Sequence, residues 1–171
     1  TKVFGGAVDD VFIGGFGSVR FFGRDGDDHL LGSVGDDVLY GQDGDDVLGG
    51  MKGDDLLVGG KGSDIYVVND LDTRIRERAG EGVDTVRVFE RFQDATNEGG
   101  TEIFKVPTHV ERVEVLEIDG LTVNGSAGDD SIFGFAFLDA FCADRAAAES
   151  RQVGADVFRG GAGDDRLFGH V

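Results

Sequence analysis

A nine-residue repeat organises the chain and limits its fold more than any other feature. Seven consecutive units run from Gly5 to Val67, among them GRDGDDHLL, GSVGDDVLY, GQDGDDVLG and GMKGDDLLV. The sixth position is Asp in every unit except the second, which has Val19, and the eighth position is always a large apolar or aromatic residue. Because an acidic column and an apolar column share one period, the units predict stacked coils whose apolar column forms a narrow core.

A second block of the repeat begins at Gly125 with GSAGDDSIF and a degraded unit, GFAFLDAFC. After residues 143–150 it resumes with RQVGADVFR and GGAGDDRLF, which ends at Phe168. We therefore divide the chain into block 1 (1–67), a segment without the period (68–124) and block 2 (125–171). The register of the repeat continues to both ends, which predicts a piece of a longer protein.

Composition shows what the repeat requires and which partners it disfavours. The chain has 30 glycines in 171 residues, and Gly at the first, second and fourth positions permits the positive φ angles of tight turns. Its formal charge of −18 would repel nucleic acid, which we exclude as a partner, and no membrane contact is predicted. A single Cys cannot form an internal disulfide, so metal binding or burial must stabilise the fold.

The repeat resembles the RTX (repeats-in-toxin) nonapeptide GGxGxDxUx, in which U is a large apolar residue. Units from Gly23 to Val67 match it best, and roughly 100 of the 171 residues share the resemblance. The resemblance implies an all-β fold, a right-handed parallel β-roll with two units per coil. It also implies that six residues of each unit form a turn, that three form a strand, and that Ca²⁺ ions lie between successive turns.

With two units per coil, sixth-position aspartates 18 residues apart lie on one edge, about 4.8 Å from each other. Such charges repel by roughly 1 kcal/mol in water and about 3 kcal/mol at an effective dielectric near 20. Several such pairs would use up most of the ~5–15 kcal/mol that stabilises a typical domain. The columns therefore need cations, and the hard oxygen ligands favour several Ca²⁺ ions over Zn²⁺, Cu²⁺ or Mg²⁺.

The predicted metal ligands follow from this geometry. The strongest sites join Asp28 with Asp46, Asp37 with Asp55, and Asp46 with Asp64. Asp10 is a weaker candidate, because Val8 stands at the fourth position of its unit. The predicted carbonyl ligands belong to turn glycines of block 1: Gly41, Gly44, Gly50, Gly53, Gly59, Gly60 and Gly62. Fifth-position aspartates are expected to be solvated and to raise the local cation concentration.

In block 2 the metal ligands depend on whether residues 143–150 loop out of the roll. If they do, Asp130 stacks on Asp156, and Asp139 stacks on Asp165.

The segment 68–124 lacks the period but keeps strand signals. Alternation predicts strands at 73–77, 83–89, 103–106 and 110–118 with one apolar face. The stretches AGEGVDTVRV and HVERVEVLEIDGLTVNG are similar to spacers between RTX blocks of secreted bacterial proteins. We expect a β-rich extension that continues and caps the roll; the alternative is a separate ligand-binding domain.

The sequence contains partial matches to other functional motifs, but each lacks residues that the motif requires. The DGDD stretches lack the Gly and the closing Glu of an EF-hand, and GGKGS at Gly59 has its Lys in the wrong place for a P-loop. The three histidines are far apart and form no HExxH. We therefore predict no catalytic residue and no other cofactor in this chain.

These observations predict a non-catalytic calcium-binding module. By the resemblance, it is exported by type I secretion machinery and folds on meeting extracellular calcium, so its location is secreted or at the cell surface. Two alternatives stay open: the calcium-stabilised C-terminal module of a secreted enzyme (protease, lipase or epimerase), and a spacer of a toxin, adhesin or surface layer that self-associates.

Overall fold

Parallel strands form all the regular structure in the described part of the chain. A computed structural model describes residues 1–70, 72–89, 102–116, 121–126, 128–135, 157–159, 164 and 166–168. These residues contain sixteen strands, and no helix among them is long and apolar enough to cross a bilayer. The predicted all-β class is confirmed.

The strands of block 1 alternate between two sheets. One sheet holds five strands in the order β1 (Lys2–Phe4), β3 (Arg20–Asp25), β5 (Val38–Asp43), β7 (Leu56–Lys61) and β9 (Arg74–Ile75). The other begins with β2 (Val11–Ile13), β4 (His29–Val34), β6 (Val47–Lys52) and β8 (Ile65–Val68), and it continues with β10 (Thr85–Phe89), β12 (Arg112–Leu116), β14 (Ser131–Phe135) and β16 (Arg166–Phe168). A third sheet holds β11 (Glu102–Lys105), β13 (Leu121–Asn124) and β15 (Val157–Arg159).

The strand register confirms two units per coil. Val38 pairs with Leu56 between β5 and β7, and Val47 pairs with Ile65 between β6 and β8, so that each partner lies 18 residues further along the chain. All described pairings are parallel, with consecutive strands in opposite sheets. This topology is the predicted parallel β-roll.

The eighth-position side chains form the core between the two sheets. Leu30, Leu39, Leu48, Leu57 and Tyr66 are all completely buried. Apart from the buried Gly49, their neighbours at the seventh and ninth positions are only half-buried or exposed, because successive side chains of a strand point to opposite faces. One apolar side chain per nine residues thus builds a continuous column.

The turns are shorter than the resemblance implied. A strand such as β5 runs from the seventh position of one unit through the third position of the next, and only the fourth to sixth positions form the turn. Its ladder with β7 skips the first-position pair, Gly41 and Gly59. At the fourth position Gly44 has a φ of 140°, which only glycine adopts without strain.

The segment after block 1 continues the same roll. β10 pairs with β8 and β12 pairs with β10, while Val86, Val88 and Val113 extend the buried column. These strands confirm the predicted strands near 83–89 and 110–118 and the expectation that the segment extends the roll. The block boundaries at 67/68 and 124/125 stay a prediction.

Candidate metal centre

The sixth-position aspartates form two buried columns beside the turns. Asp28, Asp37, Asp46, Asp55 and Asp64 are at most 1% exposed. In each, Oδ1 accepts a hydrogen bond from the backbone N–H of the residue 18 positions earlier. The bond from Asp28 N to Asp46 Oδ1 is 2.7 Å, and the bond from Asp46 N to Asp64 Oδ1 is 2.9 Å. The columns predicted from the spacing of 18 are therefore present.

The second carboxylate oxygen distinguishes some aspartates from others. Oδ2 is buried and has no hydrogen-bond partner in four of them: Asp28, Asp46, Asp55 and Asp64. A buried oxygen with no partner is strongly destabilising, and more so when it carries charge. These four oxygens therefore need a cation or a proton.

Backbone carbonyls lie next to Oδ2 of Asp28 and of Asp46. A Cβ built on Gly23 would clash with Asp28 Oδ2 and lie 2.9 Å from the carbonyl oxygen of Gly41, one coil further on. A Cβ on Gly41 would similarly meet Asp46 Oδ2 and lie 2.8 Å from Gly59 O. The first position must be glycine because carboxylate and carbonyl oxygens converge there, and such hard oxygens suit Ca²⁺.

A family model described as the RTX calcium-binding nonapeptide repeat matches the chain in four copies, at residues 4–39, 31–66, 122–136 and 153–170. These segments cover more than half of the chain. The chain belongs to the RTX calcium-binding nonapeptide repeat family. No curated protein matches it significantly.

The conformation of the second position explains which RTX units have a free Oδ2. Arg24, Gln42, Met51 and Gly60 all have a positive φ, and they stand in the units whose aspartate has an unpartnered Oδ2. Ser33 has no positive φ, and its N–H donates a 2.7 Å hydrogen bond to Asp37 Oδ2. Gly6 does the same for Asp10 Oδ2, also at 2.7 Å. The backbone at this position thus either satisfies the carboxylate or leaves it free for a cation.

This relation predicts that Ser33→Gly strengthens calcium binding at Asp37, because Oδ2 would no longer accept a hydrogen bond from residue 33. Glycine adopts a positive φ without the ~1–3 kcal/mol that a non-glycine residue pays there, and the buried Ser33 hydroxyl has no partner to lose. We expect the weakest resolved calcium-binding step to tighten roughly fivefold, which corresponds to about 1 kcal/mol. Isothermal titration calorimetry measures it, with exposed Ser18→Gly as the control. Equal affinities in both variants would contradict the role of this N–H.

The predicted glycine carbonyls do not all have the same surroundings. Gly50 O lies near Asp37 Oδ2, as Gly41 O and Gly59 O do near their aspartates. Gly44 O and Gly62 O face a glycine of the following coil. Gly53 O accepts a 3.0 Å hydrogen bond from Asp55 N, and Gly60 faces the backbone of Gln42. The first-position carbonyls are therefore the best placed of the predicted set.

Burial raises the pKa of the four RTX aspartates whose Oδ2 has no partner. Desolvation, with added repulsion from neighbouring carboxylates, raises the pKa of Asp46 and of Asp64 to about 7. The same causes raise the pKa of Asp55 to about 6 and also raise the pKa of Asp28. In each case a backbone hydrogen bond opposes the shift without cancelling it.

Sequence reasoning missed two acids that continue one column beyond the repeats. Asp64 N donates a 2.9 Å hydrogen bond to Asp84 Oδ1, and Asp84 N donates one of 2.9 Å to Glu111 Oε2. A signal for Asp84 exists, because GEGVDTV over residues 80–86 keeps the Gly, Asp and apolar positions of the RTX unit. Glu111 has no such signal.

The fifth-position aspartates form a separate, exposed ladder. Asp45 N donates a 2.8 Å hydrogen bond to Asp27 Oδ1, and Asp54 N donates one of 3.2 Å to Asp36 Oδ1. All four side chains are exposed, as predicted.

The predicted pairing in block 2 is wrong for Asp130. β14, which follows Asp130, pairs with β16, with Ser131 opposite Arg166. β15, which follows Asp156, pairs instead with β13 in the third sheet. Stacked turns here lie 35 residues apart, as in the 2.9 Å bond from Asp164 N to Asp129 Oδ1, and β15, which comes between β14 and β16 in the chain, belongs to the third sheet. Asp139, Asp156 and Asp165 themselves lie outside the described residues.

Proposed function

We propose that this chain is a calcium-dependent folding module that binds several Ca²⁺ ions between successive coils. The observation that carries the proposal is the set of four buried Oδ2 atoms without partners, three of them in one column. A divalent cation between Oδ2 and the adjacent first-position carbonyl removes both the repulsion and the unsatisfied oxygen. The metal supplies charge neutralisation, and the chain supplies the carboxylate and carbonyl ligands.

Binding energy becomes folding energy in such a protein. Without cations the folded state must bury several unpaired carboxylates, while the unfolded chain leaves them in water. A ligand that binds only the folded state stabilises it in proportion to the logarithm of its concentration. We expect folding to be governed by calcium at the ~10⁻⁴–10⁻³ M affinity of extracellular modules.

This affinity range supports a protein that folds only after export from the cell. At cytosolic calcium the sites would be empty and the chain unfolded, as type I secretion machinery requires of a cargo. Outside the cell they would fill, so we propose a secreted or cell-surface location. Among the described residues, the buried acids with strongly raised pKa values lie in the columns or at Glu77, so we also propose that any catalytic domain lies elsewhere.

Circular dichroism during a calcium titration tests the proposal. We expect little strand signal in excess chelator and a cooperative rise to the folded spectrum at millimolar calcium. Magnesium at equal ionic strength is the control and should produce a much smaller rise, because it requires near-ideal octahedral geometry. Identical strand signal in chelator and in calcium would overturn conditional folding.

A further inference from the structure

A second kind of acidic cluster lies where block 1 ends. Asp64, Glu77 and Asp84 are each less than 9% exposed, and each offers a carboxylate oxygen within 4.8 Å of the others. Asp64 precedes β8, Glu77 follows β9 and Asp84 precedes β10. The cluster therefore joins the last RTX unit to two elements of the following segment.

One buried carboxylate oxygen in this cluster has no hydrogen-bond partner. Asp64 Oδ2 is buried and has no partner, and together with the Tyr66 hydroxyl it is nearest to the place of a Cβ on Gly59. The Tyr66 hydroxyl hydrogen-bonds Glu77 Oε1, and Gly59 N donates to that hydroxyl at 2.7 Å and to Glu77 Oε1 at 3.2 Å. Among the described residues, no ion pair engages any of the three carboxylates.

The position of Glu77 in the roll explains how it reaches Asp64. Glu77 lies 18 residues after Gly59 and thus takes the first position of the next coil. In earlier coils that position presents a glycine carbonyl to the aspartate, as Gly59 O does to Asp46 Oδ2. Here the Glu77 carboxylate lies beside Asp64, together with that of Asp84. Three acids therefore meet at this position, whereas each predicted repeat site joins two.

From this arrangement we propose a further cation site, in which Asp64, Glu77 and Asp84 bind one calcium ion beside the Tyr66 hydroxyl. The proposal rests on the calcium binding proposed above, but two of its three ligands, Glu77 and Asp84, lie outside the nonapeptides. Three carboxylates give this site a higher ligand charge than the repeat sites, so it should fill first. It ties residues 77 and 84 to the last RTX turn and so caps the end of block 1.

Terbium luminescence tests the site, because Tb³⁺ replaces Ca²⁺ and is sensitised by a nearby tyrosine. The chain has only Tyr40 and Tyr66 and no Trp, so excitation of tyrosine reports on few places. We expect strong sensitised emission at the first equivalent of Tb³⁺ in the full chain and in Tyr40→Phe. Glu77→Gln should lower this emission at least fivefold and remove one calcium equivalent in equilibrium dialysis.

Glu81→Gln is the matched control, since it removes the same charge from a side chain that pairs with Arg78 outside the cluster. It should keep both the emission and the calcium count. Asp84→Asn removes a different ligand and should likewise lower the emission and the number of calcium equivalents bound. Circular dichroism in calcium shows whether each variant is folded. A folded Glu77→Gln or Asp84→Asn protein with the full calcium count and emission overturns the site. Wild-type protein that binds no calcium contradicts the proposed function instead.

Discussion

Asp46→Asn is expected to raise the calcium concentration at the midpoint of folding by about tenfold or more. Asp46 lies between Asp28 and Asp64 in one column, so its carboxylate is shared by two predicted sites. The amide can still accept the bond from Asp28 N, but it removes a charge from the ligand sets of two ions. A tenfold change corresponds to about 1.4 kcal/mol. Calcium titration followed by circular dichroism measures it.

Asp45→Asn is the control for this experiment. Asp45 is adjacent in sequence, exposed, and part of the outer ladder, so the substitution changes the net charge equally. We expect its midpoint to shift less than twofold, since exposed charges contribute only through screened interactions. Equal shifts in the two variants would show that total charge, and not the buried column, governs calcium binding.

Without calcium the sign of the Asp46 effect should reverse. In chelator, wild-type protein would bury an unpartnered charged Oδ2, and Asp46→Asn removes that charge. The variant should then be at least as stable as wild type in chelator and less stable in calcium. Destabilisation under both conditions would mean that Asp46 serves packing alone.

Acid is expected to stabilise the calcium-free protein. The folded pKa values of Asp46 and Asp64, about 7, lie above the ~3.9 of an unfolded Asp, so the fold favours their protonated forms. This contribution is full below the unfolded pKa and is lost as the pH rises through the folded pKa. Circular dichroism in excess chelator should therefore show more strand signal at about pH 5 than at about pH 7.5.

In the presence of calcium, acid should instead destabilise the folded protein. The ion requires ionised ligands, so its affinity falls as Asp46, Asp55 and Asp64 are protonated. In millimolar calcium the thermal midpoint should therefore decrease between about pH 7.5 and pH 5. A calcium-free strand signal that falls on acidification would show that these carboxylates are not buried and unpaired in the fold.

Much of block 1 follows from its sequence because every relevant contact repeats at one spacing. The period of nine predicts which side chain is buried and which acids stack, and Leu48 and Asp46 lie as predicted. The period does not predict whether Oδ2 of a sixth-position aspartate accepts a hydrogen bond or is left without a partner. Which of the two occurs depends on the φ angle of a neighbouring residue, and Ser33 differs from Gln42 in that angle without breaking the nonapeptide pattern.

Outside the regular repeats, the spacing of residues along the sequence does not predict which acids stack in successive coils. Asp84 is 20 residues from Asp64, and Glu111 is 27 residues from Asp84, yet each continues the same column. The register of β14 with β16 likewise does not follow the spacing of 18, because Ser131 pairs with Arg166, 35 residues further along the chain. A loop changes its length at little energetic cost, so the sequence alone does not determine which turns become neighbours.

The sequence by itself determined the buried apolar column and, through the family that its repeat resembles, the parallel roll and the need for cations, because these depend on a local period that brings like residues into register. Only the tertiary structure decided which carboxylate oxygens are left without a partner and that Glu77 joins Asp64 and Asp84. Those features depend on individual backbone angles and on contacts between coils, and neither is a property of any single unit.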